Sequence, residues 1–122
     1  MHRLWIAFGA LAGLVAVALS AWAAHAAPQR LDPAHLAMLQ SGITLQGWHA
    51  LALLGTGLWA ERRGGWLPHL AAAGFTLGML LFCAGVYGAA VGHVSLGPVA
   101  PTGGTLLMAG WGLLFLSAAW RR

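Results

Sequence analysis

Four apolar stretches, each close to the length that crosses a bilayer, account for most of this 122-residue chain. They run approximately over residues 4–27, 43–60, 68–91 and 104–120. The hydrocarbon core of a bilayer is about 30 Å thick, and a helix needs about 20 apolar residues to cross it. In lipid the backbone must satisfy its own hydrogen bonds, so each stretch predicts a helix. The sequence therefore predicts an all-α integral membrane protein, a single domain over residues 1–122 folded as a four-helix bundle.

The few charged residues predict how the chain is oriented. Only 7% of the residues are charged, against about 25% in a soluble domain. The net charge is +4, and all six basic residues are arginine. Cytoplasmic loops of membrane proteins are enriched in Arg and Lys. Five arginines share one side of the membrane if both termini are cytoplasmic: Arg3, Arg62, Arg63, Arg121 and Arg122. The pattern predicts a multi-pass membrane protein with both termini in the cytoplasm, and it favours topology over nucleic-acid binding as the origin of the basic charge.

The first apolar stretch has a second interpretation, as a signal peptide. Met1–Arg3, the apolar run and Ala24–Ala26 resemble the three regions of such a peptide. Cleavage would leave three spans and an external N-terminus. The run over residues 4–27 is longer than the usual signal-peptide core, which favours a retained first span.

The connections between the spans carry turn and cap signals. Asp32 followed by Pro33 is a good helix start. It predicts a short interfacial helix that ends near Gly42 or, as an alternative, continues into the second span. Gly64 and Gly65 predict a tight turn. Residues 92–103, with two prolines and several glycines, predict an ordered loop without helix.

Small residues recur at intervals of three or four in the predicted spans. Such spacing allows two helix backbones to approach closely. We expect these glycines to form helix-packing faces inside the protein first, and partner surfaces second. They are Gly9, Gly13, Gly74, Gly78, Gly85, Gly88 and Gly92.

Polar residues near the outer ends of the spans predict one cluster. Ionisable groups at membrane depth are costly and need a partner or a function. One interpretation is a hydrogen-bond network that locks the helices together, formed by His25, Gln46, His49, Tyr87 and Thr102. The other is a small cofactor site, in which His25, His49 and Tyr87 bind haem, copper or a quinone. No predicted span contains a carboxylate, and no cofactor or metal is expected under the first interpretation.

Four short motifs resemble those of a known family. They are residues 21–26, 45–53, 82–87 and 101–106, the last followed by Gly110 and Trp111. Their order and sequence resemble the DUF423 family of small bacterial inner-membrane proteins, also called UPF0382. The resemblance implies a four-helix protein of a bacterial inner membrane, and it supplies no reaction. A group of small mitochondrial proteins, those similar to transmembrane protein 256, also looks similar and implies contact with respiratory complexes.

These observations lead to two hypotheses of function. The two acids, Asp32 and Glu61, fall on opposite sides of the membrane, which argues against acid–base catalysis and against an enzyme. The first hypothesis is a non-catalytic accessory or assembly subunit that packs against a larger membrane complex, plausibly of the respiratory chain. The alternative is a small membrane bundle that binds haem, copper or a quinone. A homo-oligomeric channel or transporter is a third hypothesis.

Overall fold

The structure, a computed structural model, describes residues 1–120. Those residues contain helices and no β-strand, so the all-α prediction is confirmed. Arg121 and Arg122, which entered the charge argument, lie outside the described residues. The elements are α1 (His2–His25), a 3₁₀ turn (Ala27–Gln29), α2 (Pro33–Arg63), α3 (Leu67–Ala90) and α4 (Val99–Ala119).

Three of the helices, α1, α3 and α4, are long and apolar enough to cross a membrane. The longest helix, α2, is less apolar because it carries Gln46, His49 and Thr56. All three of these side chains are buried. Because α2 packs against both α1 and α3, it exposes less of its surface than a helix with one neighbour. A polar side chain on such a helix can face protein instead of lipid, where it would be costly.

The polar segment after α1 is not a separate interfacial helix. Asp32 caps α2, its carboxylate accepts the backbone N–H of His35, and the helix then continues without a break to Arg63. The prediction of a short helix ending near Gly42 was therefore wrong, and its alternative, continuation into the second span, is what the structure shows. Gly42 lies inside α2, where the absence of a side chain leaves space for the ring of Tyr87. A Cβ there would lie 2.6 Å from a ring carbon of Tyr87.

The last helix begins earlier than the sequence indicated. It starts at Val99, not near residue 104, so the prediction of a loop without helix over 92–103 was wrong for its second half. Pro101 lies in the first turn, where backbone N–H groups have no acceptor within the helix and a proline costs no hydrogen bond. The glycine turn between α2 and α3 was predicted correctly, since Gly64 and Gly65 both have positive φ.

The helices pair in the order of the chain. α1 packs on α2, α2 on α3, and α3 on α4, whereas α1 contacts α3 only marginally. Two of the largest fully buried side chains, Phe75 of α3 and Leu53 of α2, lie in the core that these pairs share. Within residues 1–120, no comparable interface joins α1 to α4 and closes a four-helix bundle.

The predicted packing glycines fall into two groups. At Gly9, Gly74, Gly78 and Gly85 an added Cβ would lie between 2.7 and 3.3 Å from an atom of the neighbouring helix. These four glycines therefore set close approaches between helices. The other three, Gly13, Gly88 and Gly92, do not approach a neighbouring helix this closely. Gly13 is in ordinary van der Waals contact with α2, Gly88 lies against the α3–α4 connection, and Gly92 lies against the end of its own helix.

Two glycines that the spacing argument omitted are among the tightest. A Cβ on Gly103 would overlap the backbone nitrogen of Phe82 and lie 2.6 Å from the carbonyl oxygen of Gly78. A Cβ on Gly110 would lie 2.8 Å from the ring of Phe75. The α3–α4 interface is thus formed by glycines on both helices.

Candidate functional site

The most deeply placed polar group links three helices. The Gln46 side chain of α2 is 5% exposed and donates to the carbonyl oxygen of Ala12 in α1 at 2.9 Å. Its amide oxygen accepts the hydroxyl of Tyr87 in α3 at 2.7 Å. A buried amide without partners would be costly, and here each end of the amide has one. Gln46 therefore fixes the positions of α1 and α3 relative to α2.

A second polar contact joins α2 to α4. The indole N–H of Trp111 donates to Nε2 of His49 at 3.0 Å, and His49 Nδ1 lies 2.7 Å from the carbonyl oxygen of Leu45. Because Nε2 accepts and a carbonyl can only accept, the ring hydrogen is assigned to Nδ1. The imidazole edge also lies against Phe75. Both ring nitrogens of His49 are thus engaged within the protein.

The five residues predicted to form one network are not brought together. Gln46 and Tyr87 bond to each other, as that prediction requires. His49 lies in the separate contact with Trp111. His25 is exposed at the last residue of α1, and Thr102 is exposed in the first turn of α4. The structure therefore corrects the network, and it does not pair His25 with His49 as a two-histidine cofactor site would require.

Further hydrogen bonds between helices come from two tryptophans near helix ends. Trp5 of α1 donates to Nδ1 of His69 in α3 at 2.9 Å. Trp59 of α2 donates to the buried hydroxyl of Ser117 in α4 at 3.0 Å. Each pair is separated by about sixty residues in the chain, so no local pattern could have revealed it. The indole N–H of each tryptophan thus has a polar partner within the protein.

Arg63 ties the end of α2 to the end of α4. Its guanidinium donates to the carbonyl oxygens of Ser117, at 2.5 Å, and of Trp120. Ser117 lies in the last turn of α4 and Trp120 is its C-cap, so neither carbonyl oxygen has an N–H donor within the helix. The cation also lies at the negative end of the helix dipole, which is favourable. Arg63, which served only to predict the orientation of the chain in the membrane, thus also joins the ends of two helices.

At the opposite end of the molecule three polar residues cluster outside the apolar segments. The Asp32 carboxylate lies 2.7 Å from Nδ1 of His35, and the rings of His35 and His93 meet edge to face at 4.6 Å. The backbone N–H of His35, followed by its ring, stabilises the ionised carboxylate and lowers the pKa of Asp32 below its ordinary value of 3.8. His93 has a positive φ of 53°. This contact holds the connection between α3 and α4 against the start of α2. Residues 1–120 bring no three His, Cys, Asp or Glu side chains into an arrangement that could hold a metal ion.

Comparison with known proteins identifies relatives over nearly the full length. Residues 19–104 match the family described as "Protein of unknown function (DUF423)". The UPF0382 inner membrane protein YgdD of Escherichia coli (strain K12) is 32% identical over 117 residues, which cover 95% of this chain and 89% of YgdD. A UPF0382 membrane protein of Haemophilus influenzae is 32% identical over 91% of this chain and 90% of its own length. The UPF0382 membrane protein YwdK of Bacillus subtilis is 28% identical over 95% of this chain and 96% of its own length. No solved structure matches.

Proposed function

The chain belongs to the DUF423 family of membrane proteins, and we propose that it is a non-catalytic accessory or assembly subunit of a larger complex in a bacterial inner membrane. One observation carries this proposal. The buried polar side chains Gln46, His49 and Ser117 each hold one helix to another through hydrogen bonds. Such bonds fix the relative positions of helices, and they give the protein a defined shape to present to a partner.

The outer faces of the two flanking helices are the proposed partner surfaces. α1 exposes Leu14 and Val17 by 68% and 70%, and α4 exposes Met108 and Phe115 by 69% and 70%. α1 and α4 each have one large helix interface, so their remaining faces are available to lipid or to another membrane protein. In lipid, association of helices depends on packing and hydrogen bonds and not on the hydrophobic effect. We therefore expect the partner to fit the shape of one of these faces.

Pull-down of the tagged full chain from native membranes in mild detergent tests this function. We expect the subunits of a larger membrane complex, respiratory by the proposal, to be recovered in constant ratio. A Leu14→Ala, Val17→Ala variant and a Met108→Ala, Phe115→Ala variant alter one exposed face each and leave the core untouched. Release of the partner by only one of them would locate the interface. Recovery of the protein alone, for the unmodified chain as well, would contradict the proposal.

The proposed placement is four crossings with both termini in the cytoplasm. α2 contacts α1 where Gly57 meets Ile6, and it contacts α3 where Gly42 meets Tyr87. These contacts near opposite ends of α2 support a fourth crossing beside α1 and α3. Arg3, Arg62 and Arg63 lie at the same end of the helices as Met1. Arginines concentrate on the cytoplasmic side.

Reporter fusions at the C-terminus test this placement. We expect fluorescence from a fused green fluorescent protein and no activity from a fused alkaline phosphatase, which folds only outside the cytoplasm. Replacement of Arg62 and Arg63 by Ala should weaken this preference. The opposite result for the two unmodified fusions would invert the topology.

A further inference from the structure

A groove of about 460 Å³ runs between α1 and α3. Phe8 and Leu11 of α1 form one wall, Leu80 and Ala84 of α3 form the other, and Gln46 of α2 lies between them. The groove exists because α1 and α3 both pack on α2 but barely contact each other. The bond between Trp5 and His69 ties the two helices at one end, about a turn before the groove begins.

The groove has the composition of a ligand site and not of a uniformly apolar surface. Pockets for small molecules usually occupy about 300–1,000 Å³ and combine apolar walls with a few placed polar groups. The polar groups here are the amide of Gln46 and the hydroxyl of Thr76. Thr76 donates its hydrogen to the carbonyl oxygen of Ala72, as a helical threonine commonly does.

The Gln46 amide has a donor to spare. A glutamine amide carries two N–H bonds. One donates to the Ala12 carbonyl, and residues 1–120 supply no acceptor for the other. The residue is 95% buried, since only 5% of its surface is exposed, and it lines the groove. At membrane depth, where water is absent, an acceptor for this N–H must come from the protein or from a bound molecule.

We propose that this groove binds one lipophilic molecule that bears a carbonyl group, with its apolar chain along α1 and α3 and its carbonyl oxygen accepting from Gln46. The occupant is the acyl ester of a bilayer phospholipid, because Leu11 and Leu80 on the two walls are 58% and 62% exposed and the groove therefore opens to the surrounding lipid. The proposal concerns the isolated chain and does not depend on the partner complex. It also places the ligand away from His25 and His49, which do not line the groove.

Photo-crosslinking in a defined bilayer tests the site. The full chain is reconstituted in phosphatidylcholine nanodiscs with a trace of phosphatidylcholine that carries a diazirine on its acyl chain, and labelled residues are mapped by mass spectrometry. Decylubiquinone is then titrated as a competitor. Each compound has a matched control without the carbonyl: an ether-linked diazirine lipid for the ester-linked probe, and decylbenzene for decylubiquinone. Ala84→Phe fills the groove from its exposed rim, and Ala109→Phe places the same ring on the exposed face of α4 as a control.

We expect labelling on Leu80 and Ala84 in excess of that on Met108, since Leu80 and Met108 are 62% and 69% exposed and differ mainly in their position relative to the groove. Ala84→Phe should reduce it about tenfold, and Ala109→Phe should leave it unchanged. Labelling that persists against decylubiquinone is expected for a phospholipid, and displacement by decylubiquinone would overturn this occupant in favour of a membrane quinone. The probe without a carbonyl should bind about three- to tenfold more weakly, the range of one hydrogen bond. Labelling spread evenly over all exposed faces, labelling unaffected by Ala84→Phe, or equal binding of the probes without a carbonyl would overturn the proposal.

Discussion

Replacement of Gly103 by Ala is expected to separate α3 from α4 and to destabilise the protein by at least about 2 kcal/mol, at the upper part of the range for overpacking. The added Cβ would overlap the backbone of Phe82 and lie 2.6 Å from the carbonyl oxygen of Gly78. Both obstacles are backbone atoms, which no change of rotamer can move, so the helices themselves must shift. The readout is the midpoint of thermal unfolding in mild detergent, followed by circular dichroism.

The adjacent Gly104 provides a matched control. A Cβ at this position has no neighbouring atom within 4 Å. Because alanine favours a helix over glycine by about 1 kcal/mol, Gly104→Ala should leave the midpoint unchanged or raise it slightly. Equal midpoints for Gly103→Ala and the unmodified protein would contradict the close approach of α3 and α4.

Replacement of Gln46 by Leu should also weaken the packing of three helices at once. It removes the bonds to the Ala12 carbonyl and to the Tyr87 hydroxyl and leaves that hydroxyl without its acceptor. Polar pairs between membrane helices are worth about 0.6 kcal/mol on average and up to about 1.7. Two of them predict a loss of about 1–3 kcal/mol, measured as the same thermal midpoint.

Tyr87→Phe separates the two contributions. It removes only the hydroxyl, so its expected loss is smaller than that of Gln46→Leu. In the double variant, the effect of Tyr87→Phe should largely disappear, because its acceptor is already gone. Additive losses would mean that the two side chains do not act through their mutual bond.

The glycines show how far the sequence reaches toward the packing. Spacing by three or four residues found Gly74 and Gly78 because both lie on one face of one helix. The same spacing rule also selected Gly88 and Gly92, which contact no neighbouring helix closely, and it passed over Gly103 and Gly110. Spacing identifies a face of small residues, but a close approach also depends on what the opposite helix presents there.

The polar residues show the same limit. Gln46 and His49 are less than one helical turn apart and were assigned to one cluster with Tyr87. In the structure Gln46 faces α1 and α3, and His49 turns to Trp111 of α4. Residues three apart in a helix project about 60° from each other around its axis, which is enough to direct their side chains to different neighbouring helices.

The sequence by itself determined the properties that depend on residue type and short-range order. These are the all-α class, the apolar lengths of α1, α3 and α4, the cap at Asp32 and the glycine turn at Gly64. The tertiary structure alone decided that α2 is one unbroken helix, that tryptophans and Arg63 join distant helix ends, and that a groove lies over Gln46. These features arise where residues about thirty to seventy positions apart meet, and such contacts leave no periodic signal in the chain.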